Sequence, residues 1–350
     1  MKHFGQSETL TPFLDSLYTR SISFRNFYSA GIHTNHGLYA TLYSFPAMMK
    51  RNLMKGSVIP RYSGLPTVLK ENGYYNLFFM THEGQYDNMN AFFRTNGYDE
   101  VFSQEDYPAD KVVNSFGVQD DFLYDYAIPV LNQRAATGQP FFATLLSISN
   151  HPPYVIPPFF HPKTSEPETQ IVEYADWALR QFFEEARKQP WFDNTIFVLE
   201  GDHGKLVGDA ECELPESYNH IPLMIYSSRI QPEEKTAFGG QVDIQPTILG
   251  LLNIDYLQNN FGVDLLKEER PCMFYTADNM VVGRNDTLLY LYNYETQQEL
   301  TYDIGNGKLN AVPMDDSFLP LKEYSFSMLQ SAEFLVKHGK TLNSIPFTQQ

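Results

Sequence analysis

The sequence predicts an α/β fold: a mainly parallel central sheet with helices on both faces, followed by a small C-terminal α+β subdomain. Up to about residue 252, short apolar runs alternate with stretches of helical periodicity, which is typical of βαβ units. From about Pro271 the pattern changes to short runs that are typical of antiparallel strands. A hydrophobic content of 43% in 350 residues is enough for a sizeable core. We expect two domains, residues 1–270 and residues 271–350, with the second packed on the first.

Each element rests on a local signal. The predicted strands are short apolar, β-branched or aromatic runs: 21–28, 75–80, 141–149, 196–200, 221–226, 273–275 and 288–292. The predicted helices show apolar residues three or four apart or a clear terminal signal: 10–17, 38–45, 64–72, a short segment ending at 97, 120–131, 174–188, 242–252 and 317–338. Thr11-Pro12 suits a helix start and Gly73 suits a helix stop. Ile196 and Val198 are β-branched, so their run is expected to be a buried parallel strand.

Composition excludes some classes of partner. The formal net charge of −17 argues against a nucleic-acid backbone, which basic residues would have to neutralise. An anionic substrate would need local positive charge, which a bound cation could supply.

Cys212 and Cys272 are expected to be free. No apolar run approaches the roughly 20 residues of a membrane span, and Met1–Gly5 is not followed by a signal-peptide core. We therefore expect a soluble chain without an export signal.

The run 196–204 ends in Gly201, Asp202, His203 and Gly204, directly after a predicted strand. In open α/β sheets, ligands bind beyond the carboxyl ends of the strands. A carboxylate oxygen and an imidazole nitrogen are good ligands for a divalent cation. From these residues alone, a metal site and an ordinary turn with a capping aspartate are about equally favoured.

Thr34 lies in the segment Gly31–Gly37, where a predicted strand leads into a helix. The backbone N–H groups and the dipole of a helix N-terminus favour an anion or a phosphoryl oxygen there. The alternative is a plain N-cap threonine, which these residues alone favour.

Histidines occur beside several predicted strands. His82, His151 and His203 each follow a strand within a few residues, and His220 precedes one. Because parallel strands present their carboxyl ends along one edge, the first three should face one crevice, onto which Thr34 should open. A threonine hydroxyl, an Asp-His metal pair and imidazoles fit metal-assisted attack on a phosphate ester. The imidazoles would bind phosphate oxygens or move protons.

The order of these segments resembles a known family over nearly the whole chain. In chain order the shared motifs are LTPFLDSL, the Gly-x-x-Thr-x-x-Gly segment 31–37, LKENGY, the segment 82–88, SNHPPY, the Gly-Asp-His strand end, HIPLMIY and QVDIQPTILGLL. Gly-Asp-His alone is weak evidence, but the ordered set is specific. The chain resembles the extracytoplasmic catalytic domain of the lipoteichoic acid synthase and phosphoglycerol transferase group, in the alkaline phosphatase/sulfatase superfamily.

The resemblance implies a role for each matching residue. It implies that Thr34 is the nucleophile and becomes a phosphoglycerol-threonine intermediate. Thr34, Asp202 and His203 would be ligands of a divalent metal, most often manganese, with magnesium, zinc and calcium as alternatives. The substrate, a phospholipid or glycan head group, would be bound by residues on several loops: His82, Asp87, Asn88, His151 and His220. The His220 position contacts the phosphate or a second metal in relatives.

Two departures from the family pattern matter. Where lipoteichoic acid synthases have Trp-Asn-Arg, this chain has Asp87-Asn88-Met89, so it looks closer to the phosphoglycerol transferases that act on periplasmic glucans. Family members also open the domain with a strand ending in Leu-Glu-Ser, whose Glu is a metal ligand, and membrane helices precede it. Met1 lies just downstream of that strand. We expect a truncated chain with three of four ligands and weakened metal affinity, and a membrane-anchored full-length protein at the periplasmic face of the inner membrane.

Three alternatives stay open. A sulfuric ester hydrolase needs a Cys or Ser in a Cys/Ser-x-Pro/Ala-x-Arg signature, which Thr34–Leu38 does not match. A phosphoethanolamine transferase shares the threonine nucleophile and is the nearest enzymatic rival. An inactive, truncated binding domain could keep the fold and bind glycans or phosphorylated head groups through its aromatic surface.

Overall fold

The helices lie close to the predicted segments in the structure, a computed structural model that describes residues 1–5, 9–56, 58–305 and 307–343. In chain order they are α1 (Pro12–Tyr18), α2 (Thr34–Tyr43), α3 (Leu65–Glu71), α4 (Met89–Thr95), α5 (Asp120–Ala135), α6 (Pro167–Ala186), α7 (Ile244–Leu251) and α8 (Leu319–Lys337). Helix α6 begins at Pro167 rather than at 174, because a proline in the first turn needs no hydrogen-bond donor. Among the described residues, no helix is both long and apolar enough to cross a membrane.

The strands form three sheets in the described part of the chain. In chain order they are β1 (Ile22–Tyr28), β2 (Tyr75–Met80), β3 (Glu100–Phe102), β4 (Phe141–Leu146), β5 (Phe197–Glu200), β6 (Leu223–Tyr226), β7 (Glu233–Gly240), β8 (Met273–Thr276), β9 (Met280–Arg284), β10 (Leu288–Asn293), β11 (Gln298–Gly305) and β12 (Lys308–Ala311). The sheet orders are β5-β6-β1-β7, β3-β2-β4 and β12-β11-β10-β9-β8. Strand β2 pairs in parallel with β3 and β4, whereas β8 to β12 pair antiparallel. The predicted class is confirmed, although the strands of the main domain fall into two hydrogen-bonded sheets.

The prediction of a buried strand before Asp202 is wrong for β5. Its residues are partly exposed, and Val198 keeps 37% of its surface exposed. Strand β5 lies at the edge of its sheet, where it has a neighbour on one side. A β-branched run therefore predicted a strand correctly but not the position of that strand in the sheet.

By the contacts among its residues, the chain divides into two compact units. Unit 1 contains Met1–Ser23, Pro66–Val198 and Met224–Glu234. Unit 2 contains Phe24–Leu65, Leu199–Leu223 and the chain from Lys235 onward. Unit 2 thus joins the antiparallel sheet to two earlier segments, and the expected domain boundary at 270/271 stays a prediction.

Unit 1 is built around the three-stranded parallel sheet and α5 and α6. Phe78 of β2 stacks on Phe93 of α4 with ring centroids 4.2 Å apart. The Asp176 carboxylate of α6 is buried and accepts hydrogen bonds from the backbone N–H groups of Phe13 and Leu14, each 2.9 Å long. These are donors that the first turn of a helix leaves without a partner, so Asp176 fixes α1 on α6.

Unit 2 places α8 against the antiparallel sheet at Gly283 of β9. A Cβ atom at this position would lie 2.4 Å from the Ser325 hydroxyl and 2.9 Å from the Leu321 carbonyl oxygen of α8. Only glycine therefore permits the close approach of helix to sheet here. The core under this sheet combines Tyr28 and Phe238 with residues of β8 to β11.

A buried ion pair in unit 2 holds the segment that enters α7. Asp243 is fully buried, and Arg270 donates to both of its carboxylate oxygens at 2.6 to 2.9 Å. The same carboxylate accepts hydrogen bonds from the backbone N–H groups of Gly240 and Val263. Removing one member of a buried pair leaves the other charge desolvated and without its partner.

We expect Arg270→Met to destabilise the protein by about 3–5 kcal/mol, because the buried Asp243 carboxyl group would lose its charged partner. Urea unfolding followed by circular dichroism measures this loss. The matched control is Arg180→Met, which removes an exposed ion pair with Glu184 on α6 and should cost less than about 1 kcal/mol. Equal losses for the two variants would contradict the structural role of the buried pair.

Candidate active site

Thr34 and Asp202 meet in unit 2. Thr34 is the first residue of α2, and His33 is the N-cap residue, without a capping hydrogen bond from its side chain. The Thr34 hydroxyl instead donates to Asp202 Oδ2, with 2.7 Å between the oxygens. Asp202 follows β5 by two residues, and its Oδ1 accepts a hydrogen bond from the His203 backbone N–H. The N-cap alternative therefore does not describe Thr34, whose hydroxyl is directed at the carboxylate.

The imidazole ring of His203 also lies near Asp202 Oδ2. Its Nδ1 lies 2.8 Å from the Gly204 carbonyl oxygen, which can only accept, so Nδ1 carries a proton. In the neutral ring, Nε2 then presents its lone pair, and it lies 3.6 Å from Asp202 Oδ2. A metal-binding histidine commonly has its second nitrogen fixed in this way.

The donor set fits a divalent cation. Atoms bound to one cation at about 2.0–2.2 Å lie about 3 Å apart. The two separations from Asp202 Oδ2, 2.7 Å to Thr34 Oγ1 and 3.6 Å to His203 Nε2, lie on either side of this value. Among the described residues, no group of three or more His, Cys, Asp or Glu side chains is placed to hold a metal ion. The predicted metal site consists of two such side chains, Asp202 and His203, and the Thr34 hydroxyl.

Gln241 and Gly37 hold Thr34 next to Asp202. The buried Gln241 side chain accepts from the Ala30 N–H at 2.8 Å and donates to the Asp202 carbonyl oxygen, also at 2.8 Å. A Cβ atom on Gly37 would lie 2.5 Å from the same Asp202 oxygen and 3.0 Å from Gln241 Nε2. Helix α2 can therefore approach the end of β5 only because residue 37 is glycine.

We expect Gly37→Ala to lower turnover of any substrate that reacts at Thr34 by about 100-fold, because the added methyl group pushes α2 away from Asp202. Alanine favours the helix more than glycine does, so the loss would not reflect a weaker helix. Steady-state kinetics and a thermal melt separate the two effects. The control is Gly305→Ala, whose new methyl group would meet nothing closer than 3.4 Å. Wild-type turnover in the Gly37 variant would contradict the tight fit.

A second buried amide fixes the neighbouring loop. Asn219 is fully buried, and its Nδ2 donates to the Ser29 and Gly31 carbonyl oxygens at 3.3 and 3.4 Å. The Gly204 N–H donates to the Tyr218 carbonyl oxygen at 2.8 Å. The loops that precede Thr34, follow His203 and precede His220 are thus tied together by buried polar contacts.

Glu200 lies behind Asp202 and contributes little negative charge. The pKa of Glu200 is raised to about 8, chiefly by burial and also by the nearby Asp202 carboxylate, while the hydrogen bond from the Thr41 hydroxyl opposes the shift. Near neutral pH this carboxyl group is therefore mostly protonated.

His220 is held by a polar and aromatic cluster. Its Nε2 lies 2.6 Å from the Arg25 carbonyl oxygen and its ring stacks on Tyr28 at 5.1 Å. Its Nδ1 is 3.7 Å from Glu216 Oε1, which also accepts from Tyr28 and from Arg284 of β9. The role of His220 in substrate binding stays a prediction.

His33 and His36 flank Thr34 but face elsewhere. His33 Nε2 lies 2.6 Å from Asp278 Oδ1. His36 is buried, and burial with His33 nearby lowers the pKa of its imidazole to about 4.

The other predicted site residues lie in unit 1. His82 is buried at the end of β2, and its Nδ1 lies 3.0 Å from the Glu83 carbonyl oxygen. His151 places Nδ1 2.7 Å from the Pro152 carbonyl oxygen. Asp87 and Asn88 adopt left-handed backbone conformations directly before α4, as these two residue types readily do. Whether His82 and His151 share a crevice with Thr34 stays a prediction.

The three strand-end histidines share one feature that the sequence did not suggest. His82, His151 and His203 each place Nδ1 at the carbonyl oxygen of the next residue. A carbonyl accepts only, so each ring carries its proton on Nδ1 and offers Nε2 as an acceptor when neutral.

Sequence reasoning missed several supporting residues. Gln241 begins one recognised motif and Asn219 directly precedes another, but a buried amide cannot be told from an exposed one without the fold. Arg284 is about 80 residues beyond Asp202, so only the three-dimensional structure brings it to Glu216. Phe116 packs on His151 with centroids 4.1 Å apart, and no local pattern marks it.

Comparisons with known proteins agree with this fold. A family model described as Sulfatase matches residues 1–254. Lipoteichoic acid synthase 1 of Bacillus subtilis (strain 168) is 26% identical over 270 residues, covering 71% of this chain and 40% of that protein. Phosphoglycerol transferase I of Xanthomonas campestris pv. campestris is 25% identical over 295 residues, covering 79% of this chain and 42% of that protein. The chain thus spans less than half the length of these two relatives.

A solved structure supports the fold. The crystal structure of a protein in the alkaline phosphatase superfamily from Vibrio parahaemolyticus superposes with a TM-score of 0.85 and 27% identity. The match covers 95% of this chain and 82% of that one. The resemblance and the fold class expected from the sequence are confirmed.

Proposed function

The chain belongs to the sulfatase family, and we propose that it is a metal-dependent transferase of phosphorylated head groups, phosphoglycerol foremost, with Thr34 as nucleophile. The observation that carries this proposal is the 2.7 Å contact between the Thr34 hydroxyl and Asp202 Oδ2, with His203 Nε2 3.6 Å from the same oxygen. A nucleophile needs a nearby acceptor for its proton, and Asp202 is that acceptor.

The reaction consists of two transfers at phosphorus. The Thr34 oxygen forms a bond to phosphorus and its proton passes to Asp202, while the bond from phosphorus to the donor oxygen breaks and the donor leaves as an alcohol after taking a proton from water. An acceptor alcohol or water then attacks phosphorus and releases its proton to water, the bond from phosphorus to Thr34 breaks, and the Thr34 oxygen regains the proton held by Asp202. Gln241 and Gly37 keep the hydroxyl in place through both steps, because each fixes the distance between α2 and the end of β5.

Thr34, Asp202 and His203 would hold the cation, for which manganese is the first choice and magnesium, zinc and calcium are alternatives. Sulfatase-superfamily members are generally metal-dependent. When bound, a divalent cation lowers the pKa of the hydroxyl and neutralises charge on the phosphoryl group. One carboxylate, one imidazole and one hydroxyl suit a cation that accepts both oxygen and nitrogen ligands.

We propose a phospholipid or glycan phosphodiester as substrate and an extracytoplasmic location, at the periplasmic face of the inner membrane in a membrane-anchored full-length protein. The similarity to lipoteichoic acid synthase 1 and phosphoglycerol transferase I supports both points. His82, Asp87, Asn88, His151 and His220 are the proposed substrate-binding residues.

The direct test offers the chain phosphatidylglycerol or phosphatidylethanolamine with a labelled head group, with manganese and a β-glucan acceptor. We expect release of diacylglycerol from phosphatidylglycerol and label on the glucan or in free glycerol phosphate. EDTA should reduce the release to background, and added manganese should restore it. Release only from phosphatidylethanolamine would favour the phosphoethanolamine transferase alternative. No release from either lipid, together with head-group binding that Thr34→Ala leaves unchanged, would favour a binding domain.

A further inference from the structure

A cleft of about 500 Å³ lies in unit 2, between the loop that follows α7 and the C-terminal half of α8. Its volume is typical of small-molecule sites, which span about 300–1,000 Å³. No charged side chain of the described residues lines it. Five lining residues carry neutral amide or hydroxyl groups: Gln258, Asn259, Asn260, Gln330 and Ser331. We call these five residues, together with the lining residue Phe334, the amide cleft.

The amide cleft is separate from the Thr34 site. Phe261, which also lines the cleft, donates its backbone N–H to the Ser44 carbonyl oxygen at 3.0 Å and packs its ring on Phe45, with centroids 5.3 Å apart. Ser44 is the C-cap residue of α2, whereas Thr34 is the first residue of that helix. A helix of ten residues is about 15 Å long. The cleft and the proposed nucleophile therefore lie at opposite ends of α2.

Hydrogen bonds hold both walls of the cleft in place. Asn259 Nδ2 donates to the Lys340 carbonyl oxygen at 2.7 Å, which ties the loop after α7 to the chain that follows α8. Arg270 donates to the Phe261 carbonyl oxygen at 2.5 Å and to the Tyr324 hydroxyl of α8 at 2.8 Å. The walls are thus fixed without a ligand, which lowers the entropy cost of binding one.

Asn260 leaves a buried donor without a partner. Its Oδ1 accepts from Gln258 Nε2 at 3.0 Å and from the Gly262 N–H at 3.3 Å. Its Nδ2 is buried and has no hydrogen-bond partner among the residues that the structure describes. An unpaired buried donor costs free energy. Because Asn260 lines the cleft, a ligand atom that accepts this hydrogen would relieve the cost.

The chemistry of the lining favours a neutral ligand that is rich in hydroxyl groups. An ion would find no opposite charge in the cleft, and an apolar chain would leave the amides without hydrogen-bond partners. Each side-chain amide has two donor hydrogens and an accepting oxygen, and a sugar hydroxyl both donates and accepts. Phe334 keeps 49% of its surface exposed, which provides an apolar surface for the C–H groups of a sugar ring.

We propose that the amide cleft is an accessory binding site for a neutral oligosaccharide. The ring of Phe334 packs on the C–H face of one sugar unit, Asn260 Nδ2 donates to a hydroxyl oxygen, and Gln330 exchanges hydrogen bonds with neighbouring hydroxyls. This inference goes beyond the proposed function, because the cleft takes no part in the Thr34 reaction. The oligosaccharide binds there without any covalent bond being made or broken.

Binding of neutral oligosaccharides tests the amide cleft. Saturation-transfer NMR and calorimetry on the full chain would use maltohexaose, laminarihexaose, cellopentaose and mannohexaose. We expect at least one of the four to bind, and to bind equally well to the Thr34→Val variant. No binding of any of the four would overturn the proposal. Binding that Thr34→Val abolishes would place the sugar at the active site and would overturn it as well.

Substitutions in the cleft test its location. Phe334→Ala should weaken binding about tenfold, equivalent to about 1.4 kcal/mol, because it removes the apolar surface. Asn260→Asp keeps Oδ1 but removes the buried donor, and it should weaken binding by about tenfold or more. Gln330→Leu, at an exposed position, should weaken it about two- to tenfold, the effect of one neutral hydrogen bond.

The control is Tyr294→Ala, which alters an exposed aromatic residue in the turn between β10 and β11 of the same unit. Its affinity should equal that of the wild type. Melting temperatures would show which variants are folded, and the exposed positions of Phe334 and Gln330 make loss of the fold a minor concern there. Wild-type affinity in both Phe334→Ala and Gln330→Leu would overturn the cleft as the binding site.

Vesicles of phosphatidylglycerol and phosphatidylcholine test whether the exposed Phe334 marks a lipid contact instead. Vesicle binding that Phe334→Ala abolishes, without binding of any oligosaccharide, would overturn the proposal in favour of a membrane surface. Oligosaccharide binding at the cleft with no cleavage of any phosphodiester would contradict the proposed function and leave this inference standing. Cleavage that depends on Thr34, without oligosaccharide binding, would do the reverse.

Discussion

Replacing Thr34 by valine is expected to lower phosphodiester turnover by at least about a thousandfold, because it removes the attacking oxygen and keeps the shape of the side chain. The Thr34 hydroxyl lies 2.7 Å from Asp202 Oδ2. The valine side chain has no oxygen that could replace it. Thr34→Ser keeps a hydroxyl and should retain part of the activity. Single-turnover kinetics with bis(p-nitrophenyl) phosphate and with a labelled lipid measure both variants.

The control for this result is a threonine in the first turn of another helix. Thr169 of α6 donates to the Glu166 carbonyl oxygen, and Thr169→Val should leave turnover unchanged. Equal activity in Thr34→Val and wild type would remove Thr34 as nucleophile. Activity that falls equally in Thr34→Val and Thr169→Val would show a general effect on folding instead.

Asp202→Asn is expected to weaken manganese binding by at least about 100-fold, because loss of a mere supporting partner of a metal ligand already costs 10–100-fold and a direct carboxylate ligand contributes more. The asparagine keeps the shape and can still accept from Thr34, so the change isolates the charge. Calorimetric titration with manganese measures the affinity directly. Thermal melts give a second readout, because a ligand that binds the folded state stabilises it in proportion to the logarithm of its concentration over Kd.

The control for the metal prediction is Asp209→Asn, which removes an exposed carboxylate seven positions beyond Asp202. Its manganese affinity should equal that of the wild type. If Asp202→Asn binds manganese as tightly as the Asp209 variant, then Asp202 is not a metal ligand and the contact with Thr34 serves proton acceptance alone.

Much of the fold followed from local sequence patterns. β2 was predicted at residues 75–80 and is found there, because an apolar run between Gly73 and a polar loop has few alternatives. β7 was missed, since it begins with Glu233, Glu234 and Lys235, and only its last three residues are buried. Charged residues are depleted in strands on average, but an exposed half-strand tolerates them. The pattern also could not reveal that β5 lies at an edge.

The sequence could indicate the candidate site residues whose side-chain type and local position are themselves distinctive. Asp202 and His203 stand between glycines after a strand, and Thr34 begins a helix, so each carries its own signal. Gln241 and Gly37 act through the packing of α2 on the end of β5, which exists only in the folded chain. Phe116 depends on a glycine with positive φ and on a contact with a distant loop. Supporting residues of this kind are specified by tertiary contacts, and no periodicity in the sequence marks them.

The most direct test of the central claim is to trap the group that Thr34 carries. The chain would be incubated with manganese and phosphatidylglycerol without an acceptor, quenched in acid and analysed by tandem mass spectrometry. We predict one phosphoglycerol group attached to Thr34 in wild type and none in Thr34→Val. Diacylglycerol release without any modified Thr34 at early times, or an adduct on a different residue, would contradict a threonine nucleophile.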